Sequence, residues 1–376
     1  MNESVIPWAQ PLIGQEEQRQ MLSCFTTDWL TMGPKVAELE SRMAARMGVP
    51  HAVAVSNGSV ALDLALKCLK LRPGDEVLVP AMTYFASAAA VSWQAAVPVF
   101  VDIDAHSWNL DPRRMAEAVS ERTRGVIYID YGGNPADAAA IRAEAARLGL
   151  FVLHDGAQSL GATVGDAPCG RDDVISSLSF HMAKVITTVE GGMLFCQDEA
   201  HARDLRARRS QGEGSRKYIH EVLGTNARMT DLAAAIGLAQ LDRLDHVLEQ
   251  RRLISQRYTE GLAELAPLGL RTVAANEHGR NAWFLYSVRI PDRDRIAEAL
   301  RRDHGIETRI AYPLPLYRQP VYDGGEAICR HLPCPESEAL AAQVLNLPLF
   351  PGMSEGQQER VIQALRSELS ASRKPA

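Results

Sequence analysis

Four short segments carry residue types that could do chemistry together. In SLSFHMAKVITTVEGGML (177–194), Ser179, Phe180 and Lys184 follow an apolar run, and Glu190-Gly191-Gly192 leads into the next one. A lysine walled off from water can lose its proton and attack a carbonyl. The two glycines let the backbone turn sharply beneath a bulky planar group. In LHDGAQSLGA (153–162), Asp155 closes another apolar run. A carboxylate there needs a cation or several donors. A protonated pyridinium nitrogen is one such cation; a simple capping role is the other reading. In VSNGSVAL (55–62), a run ends at Gly58 and a helical pattern opens at Ser59. Free amides at a helix start favour a phosphate, and a glycine permits close approach; the plainer reading is an ordinary strand-to-helix turn. In GTNARMTDLAAAIGLAQLDRLD (224–245), Asn226 and Arg228 precede a long helical pattern. Asn can donate to a phosphate and Arg can bind a carboxylate or phosphate. A helix cap and a surface charge are the alternative.

Such residues need a scaffold. From about residue 51 to 198, short β-rich runs alternate with amphipathic helical patterns. The strand candidates are 51–57, 75–81, 97–103, 124–130, 150–156, 174–180 and 191–198. Helices are expected at 59–69, 111–120 and 136–149. Near-continuous apolar strands between such helices predict an α/β fold, a three-layer sandwich with a mainly parallel central sheet. Sites in such sheets sit at the carboxyl ends of the strands. After residue 230 the pattern predicts one long helix (230–258), a strand (282–290), a helix (292–304), a strand (306–312) and a Pro-rich loop (312–322). The division is therefore an N-terminal arm over 1–13, a large domain over 14–245 and a smaller α+β C-terminal domain over 246–376.

Composition excludes several classes. The 376 residues hold 40 Lys plus Arg against 46 Asp plus Glu, so no basic excess points to nucleic acid or a membrane surface. Cys24, Cys68, Cys169, Cys196, Cys329 and Cys334 are scattered, as reduced cytoplasmic thiols are. The N-terminus has no signal-peptide pattern, and polar residues and Pro98 interrupt the longest apolar stretch, 85–101. Nicotinamide, P-loop, zincin and α/β-hydrolase motifs are missing. The histidines show no zinc spacing, so no metal is expected.

In chain order the four segments are a phosphate turn, a carboxylate for a pyridine nitrogen, a Schiff-base lysine and an asparagine. That order resembles the DegT/DnrJ/EryC1/StrS family of pyridoxal-phosphate (PLP) sugar aminotransferases, of the aspartate-aminotransferase fold type I. PLIGQEEQ (11–18), WLTMGPKVAELE (29–40), LVPAMTYFASAAAV (78–91) and YPLPLYRQPVY (312–322) extend the likeness over nearly the whole chain. The resemblance implies that Lys184 binds the cofactor covalently and that Asp155 pairs with the pyridinium nitrogen. It places Gln158 near the ring hydroxyl and stacks Tyr84 on the ring. Gly58, Ser59 and Ser179 would bind the phosphate. Asn226 would reach it from the neighbouring subunit, making a homodimer with shared sites.

The implied reaction moves an amino group, from L-glutamate, to a nucleotide-linked keto-sugar, with pyridoxamine phosphate (PMP) in the second half. His181, Arg228, Arg309 and Tyr312 are the candidate substrate contacts. A keto-cyclitol acceptor is an alternative. So is a dehydratase of the same family, although those carry histidine where Lys184 stands. A non-catalytic regulatory protein is a further reading, and the intact Lys184, Asp155 and Gln158 oppose it. The chain departs from the family at Val189, in place of a glycine, and has N-G-S where S-G-T is common. Ala227, Tyr317 and the 129–135 stretch also depart, and they are expected near the acceptor pocket.

Overall fold

The computed structural model describes residues 5–371. The first four residues of the expected arm and the last five of the expected C-terminal domain lie outside them. Seven strands build the central sheet: β1 (His51–Val55), β2 (Glu76–Pro80), β3 (Val97–Val101), β4 (Thr123–Ile129), β5 (Phe151–Asp155), β6 (Ile175–Ser179) and β7 (Gly192–Cys196). Their spatial order is β1-β7-β6-β5-β4-β2-β3, and the short strand Arg330–His331 adds beside β3. All pairs are parallel except those of β7, which runs against both β1 and β6. The reversal matters for the site. Gly192, at the start of β7, pairs with Val55 and Ser179, at the ends of β1 and β6.

Side chains alternate across the sheet with the period of the pleat. Val53, Val55, Val77 and Val79 pack on one face with the helices Gly58–Cys68 and Phe85–Ser92. Ala52, Ala54, Leu178 and Met193 pack on the other with the helices Pro34–Met47 and Asp231–Asp242. Both faces are covered, which gives the three-layer sandwich expected from the sequence. A separate apolar cluster joins the helices Leu244–Leu262, Arg293–His304 and Glu355–Ala371 to the strands Tyr286–Arg289 and Val344–Leu347. Ile6 is buried in that cluster and its backbone pairs with Gly305 and Glu307, so this part of the arm is docked.

Three local expectations change. The long helix is two, Asp231–Asp242 and Leu244–Leu262. The chain bends at Arg243, whose guanidinium binds the Leu12 carbonyl at 2.9 Å and the Glu17 carboxylate. Residues 306–312 form no strand, only single bridges at Ile306 and Arg309. The Asn346 side chain takes the Ala311 amide at 2.9 Å, and Tyr312 enters the left-handed region (φ 61°) just before Pro313. Both divert the chain from the sheet. Residues 111–120 hold only a turn of 3-10 helix, Pro112–Arg114, and a four-residue helix, Met115–Ala118.

A polar network lies buried within the sheet. His154, on β5, binds Asp130 through Nε2 and Ser176 through Nδ1, both at 2.9 Å. Its ring stacks on Tyr128, whose hydroxyl donates to Asp173 at 2.5 Å. Burial alone would depress the imidazole, but the Asp130 carboxylate more than reverses this and raises it above 6.5. Burial likewise pushes Asp130 up, and His154 overcomes that to hold it low. Truncating His154 to Ala leaves Asp130 buried with the Ala136 amide but without its cationic partner, a cost of about 3–5 kcal/mol. The histidine's contribution is whole below its unfolded pKa and is lost as pH rises through the raised folded value. The aspartate's is lost as pH falls through its lowered value. Chemical denaturation across about pH 5 to 9 should show an alkaline loss of stability in the wild type that His154→Gln lacks.

Candidate active site

The carboxyl ends of β1, β5 and β6 and the start of β7 meet at one edge of the sheet. Between β6 and β7 the chain folds back on itself: the Phe180 amide donates to Gly191, Thr188 to the Phe180 carbonyl, and Lys184 to the His181 carbonyl. Phe180, Val185 and Ile186 are buried by that turn. They leave Lys184 with its amine 4.4 Å from the centroid of the Phe284 ring. Loss of water around the amine pulls its pKa from 10.5 to about 8, against the Asp155 carboxylate, which holds it up. Near neutral pH a usable share of this amine is therefore unprotonated.

Asp155 is buried at the end of β5. The Ser87 hydroxyl donates to one carboxylate oxygen at 2.6 Å and the Ala157 amide to the other at 3.2 Å. Ser87 is in turn 3.0 Å from the Thr83 hydroxyl. Three residues after Asp155 comes Gln158, whose side-chain oxygen accepts from the Gly132 amide at 2.7 Å. Its nitrogen donates to the Tyr312 hydroxyl at 2.8 Å. Tyr312 meets Tyr131 edge-on at 5.9 Å. Desolvation, with Tyr131 and Asp155 nearby, pushes its phenol far up, so it remains protonated. Tyr84 caps the helix Phe85–Ser92 and leaves its ring 62% exposed.

The third part is a cradle of backbone. Asn57 caps the helix Gly58–Cys68 by accepting from the Val60 amide at 2.9 Å. The first two helical amides, of Gly58 and Ser59, have no intrahelical acceptor. A Cβ on Gly58 would come within 2.9 Å of the Ser179 Cβ, and one on Gly192 within 2.5 Å of the Asn57 carbonyl. Only hydrogen fits at either position, so Ser179 and the β7 start pack directly against the helix opening.

These parts suit a flat, phosphorylated pyridine aldehyde. A buried carboxylate waits for a cation, a desolvated amine for a carbonyl, an exposed aromatic face for a ring, and free amides with Ser59 and Ser179 for a phosphate. Among the described residues, no group of three or more His, Cys, Asp and Glu is placed to hold a metal ion.

The other expected contacts lie farther out. His181 is half exposed; its Nδ1 accepts from Ala183 at 3.2 Å and its Nε2 is 3.8 Å from Glu190. Arg228 is bridged through its backbone to Val55, beside the phosphate cradle. Asn226 is exposed and its backbone bridges Ser210. Arg309 is turned to the Trp8 ring, 5.7 Å away. Of the departures expected near the acceptor, Ala227 and Tyr317 are buried, and the Tyr317 hydroxyl binds Glu338 at 2.8 Å. The 129–135 stretch touches the site through Gly132 and Tyr131, and the Ala227 carbonyl accepts from the Ser56 amide at 2.8 Å beside the phosphate cradle. Ser87 and Phe284 were missed from sequence. The one signal for Ser87 is a hydroxyl inside the alanine-rich FASAAAV; nothing in the sequence marks Phe284.

Comparison with known proteins follows this geometry. The family model of the DegT/DnrJ/EryC1/StrS aminotransferase family matches residues 11–366. The chain is 34% identical to the spore coat polysaccharide biosynthesis protein SpsC of Bacillus subtilis, covering 96% of each. It is 35% identical to the GDP-perosamine synthase of Caulobacter vibrioides, covering 95% of this chain and 96% of that one. Among solved structures it resembles S. venezuelae DesV in complex with a ketimine intermediate, with a TM-score of 0.93, 32% identity and full coverage of both chains.

Val189, on the Lys184 turn, has φ 72°, a conformation that a β-branched residue adopts under strain. Such strain costs about 1–3 kcal/mol, against about 0.5–1 for the extra freedom of an unfolded glycine. Val189→Gly should therefore stabilise the chain by about 1 kcal/mol in a denaturant melt; unchanged or lower stability would show the turn to be relaxed.

Proposed function

The chain belongs to the DegT/DnrJ/EryC1/StrS aminotransferase family of PLP-dependent sugar aminotransferases, and from that premise we propose that it moves an amino group from L-glutamate to a nucleotide-linked keto-hexose. The observation that carries this reading is the pairing of a desolvated Lys184 with the buried Asp155 at one sheet edge. The GDP-sugar enzyme among the relatives supports the nucleotide-linked acceptor.

When bound, PLP supplies a carbonyl that carries the amino group and a ring that accepts the electrons left by a departing proton. Asp155, fixed by Ser87 and Ala157, holds the proton on the ring nitrogen. Lys184 Nζ would hold the group through its carbonyl carbon, the carbonyl oxygen leaving as water, and, when displaced by the donor's amine, would take the proton from the donor's Cα; its lowered pKa suits both tasks. Gln158, anchored by Gly132 and Tyr312, orients the ring hydroxyl. Tyr84 covers one ring face. Gly58, Ser59 and Ser179 bind the phosphate. His181, Arg228, Arg309 and Tyr312 line the approach of donor and acceptor, Arg309 after leaving Trp8.

The working unit is a homodimer in which Asn226 of the partner subunit completes the phosphate site. Exposed apolar side chains flank the loops concerned: Met182 and Val189 around Lys184, and Tyr218 and Leu223 before Asn226. The large domain, 14–245, carries the cofactor, and 246–376 forms the small C-terminal domain. Six free cysteines fit a cytoplasmic location. Among the described residues, no helix is long and apolar enough to cross a membrane.

Two experiments test this. Protein loaded as PMP and offered a panel of keto-substrates should return to the PLP spectrum with nucleotide-linked keto-hexoses. A response to free keto-cyclitols alone would assign the other acceptor class. Mixing Asn226→Ala with Lys184→Ala subunits should leave the hybrid one site with both residues intact and one with neither. Its turnover should approach half that of wild type, whereas Asn226→Ala homodimers should be weak in cofactor binding. If hybrids show only the activity of the Asn226→Ala site, the residue serves its own subunit.

A further inference from the structure

Phe284 has no part in the reaction as derived so far, yet its ring is the surface that Lys184 meets. The ammonium nitrogen lies 4.4 Å from the ring centroid. At that distance the negative face of the ring attracts a cation.

The ring is held there by its backbone. Arg251 Nη1 donates to the carbonyls of Trp283 at 3.0 Å and Phe284 at 3.3 Å. The Ala282 amide donates to Gly133 at 3.0 Å and the Leu285 amide to Gly132 at 3.1 Å. Trp283, in the left-handed region with φ 51°, turns the chain between these anchors. The Phe284 side chain packs against the cluster that holds Phe180, Val185 and Ile186, from the Lys184 turn itself. The anchors thus link the Lys184 turn, the Gly132 turn that supports Gln158, and the Leu244–Leu262 helix that carries Arg251.

We propose that Phe284 is a positioning residue whose ring face receives the free Lys184 amine and holds its protonated form between proton transfers. For its catalytic consequence this rests on the reading of Lys184 as the proton carrier; its test does not. The groups facing the amine are few. Asp155 from β5 favours the charged form. His181, on the same turn, directs Nδ1 to the Ala183 amide and its other nitrogen towards Glu190. The Phe284 ring adds to Asp155 in opposing desolvation, so weakening the ring must favour the neutral amine.

The test replaces Phe284 in the full-length protein with phenylalanines of increasing fluorination, which drain charge from the ring face while nearly keeping its shape. With the cofactor removed, competitive acetylation of Lys184 is followed against pH by mass spectrometry of its peptide. The wild-type midpoint should lie near 8. Fluorination should lower it in steps, by about half a unit or more at full substitution. Phe284→Leu should fall similarly, and Phe284→Trp should hold or raise the midpoint. An unchanged midpoint through the fluorinated series would overturn the proposal, since a purely structural wall ignores ring charge. Absence of transaminase activity would count against the role of Lys184 and leave this midpoint shift standing, so the two failures are distinct.

Discussion

The structure depends on keeping a lysine amine dry close to a buried carboxylate. Each group is costly alone: the amine loses its hydration and the carboxylate is buried at a strand end. Together they offset part of that cost, and desolvation wins on the lysine, leaving its pKa near 8. An amine in that state serves as both nucleophile and proton carrier at physiological pH. A surface lysine, charged almost all the time, would serve as neither.

The rest of the fold supplies this condition from several directions. The reversal of β7 brings Gly192 to the ends of β1 and β6, so that the Lys184 turn closes over the phosphate cradle. The alternation of β5 puts Asp155 at the site and its neighbour His154 into the network with Asp130, Ser176 and Tyr128. One strand thereby fixes a catalytic carboxylate and a structural ion pair on adjacent residues. The Gly132–Gln158–Tyr312 chain joins the end of β4 to the loop after Arg309, linking the sheet to the C-terminal cluster. Exposed Tyr84 and strained Tyr312 and Val189 are local costs collected around one site, as is common where geometry serves chemistry.

Much of this was legible in the sequence because the relevant signals are local. Short β-rich runs marked all seven central strands, and the residues at or just past their ends marked Gly58, Asp155, Ser179 and Lys184. What was not legible depends on contacts between distant segments. Arg243 looked like one more helical residue, yet its bonds to Leu12 and Glu17 stand at the bend between two helices. Residues 306–312 read as a strand because their apolar pattern shows nothing of the Asn346 side chain that intercepts Ala311. Tyr317 replaces a family histidine and suggested a changed acceptor pocket, but it is spent on Glu338 and the core. Phe284 carries no polar atom and sits about 100 residues from the lysine it covers, beyond the reach of any motif.

The most direct test of the account is where the cofactor is joined. Borohydride added to the PLP-loaded protein fixes the carbon–nitrogen link, and a peptide map then locates the phosphopyridoxyl group. The account predicts that group on the peptide holding Lys184, with loss of the absorbance of the unreduced link. Labelling on another lysine, such as Lys67, Lys70 or Lys217, or no labelling at all, would contradict it.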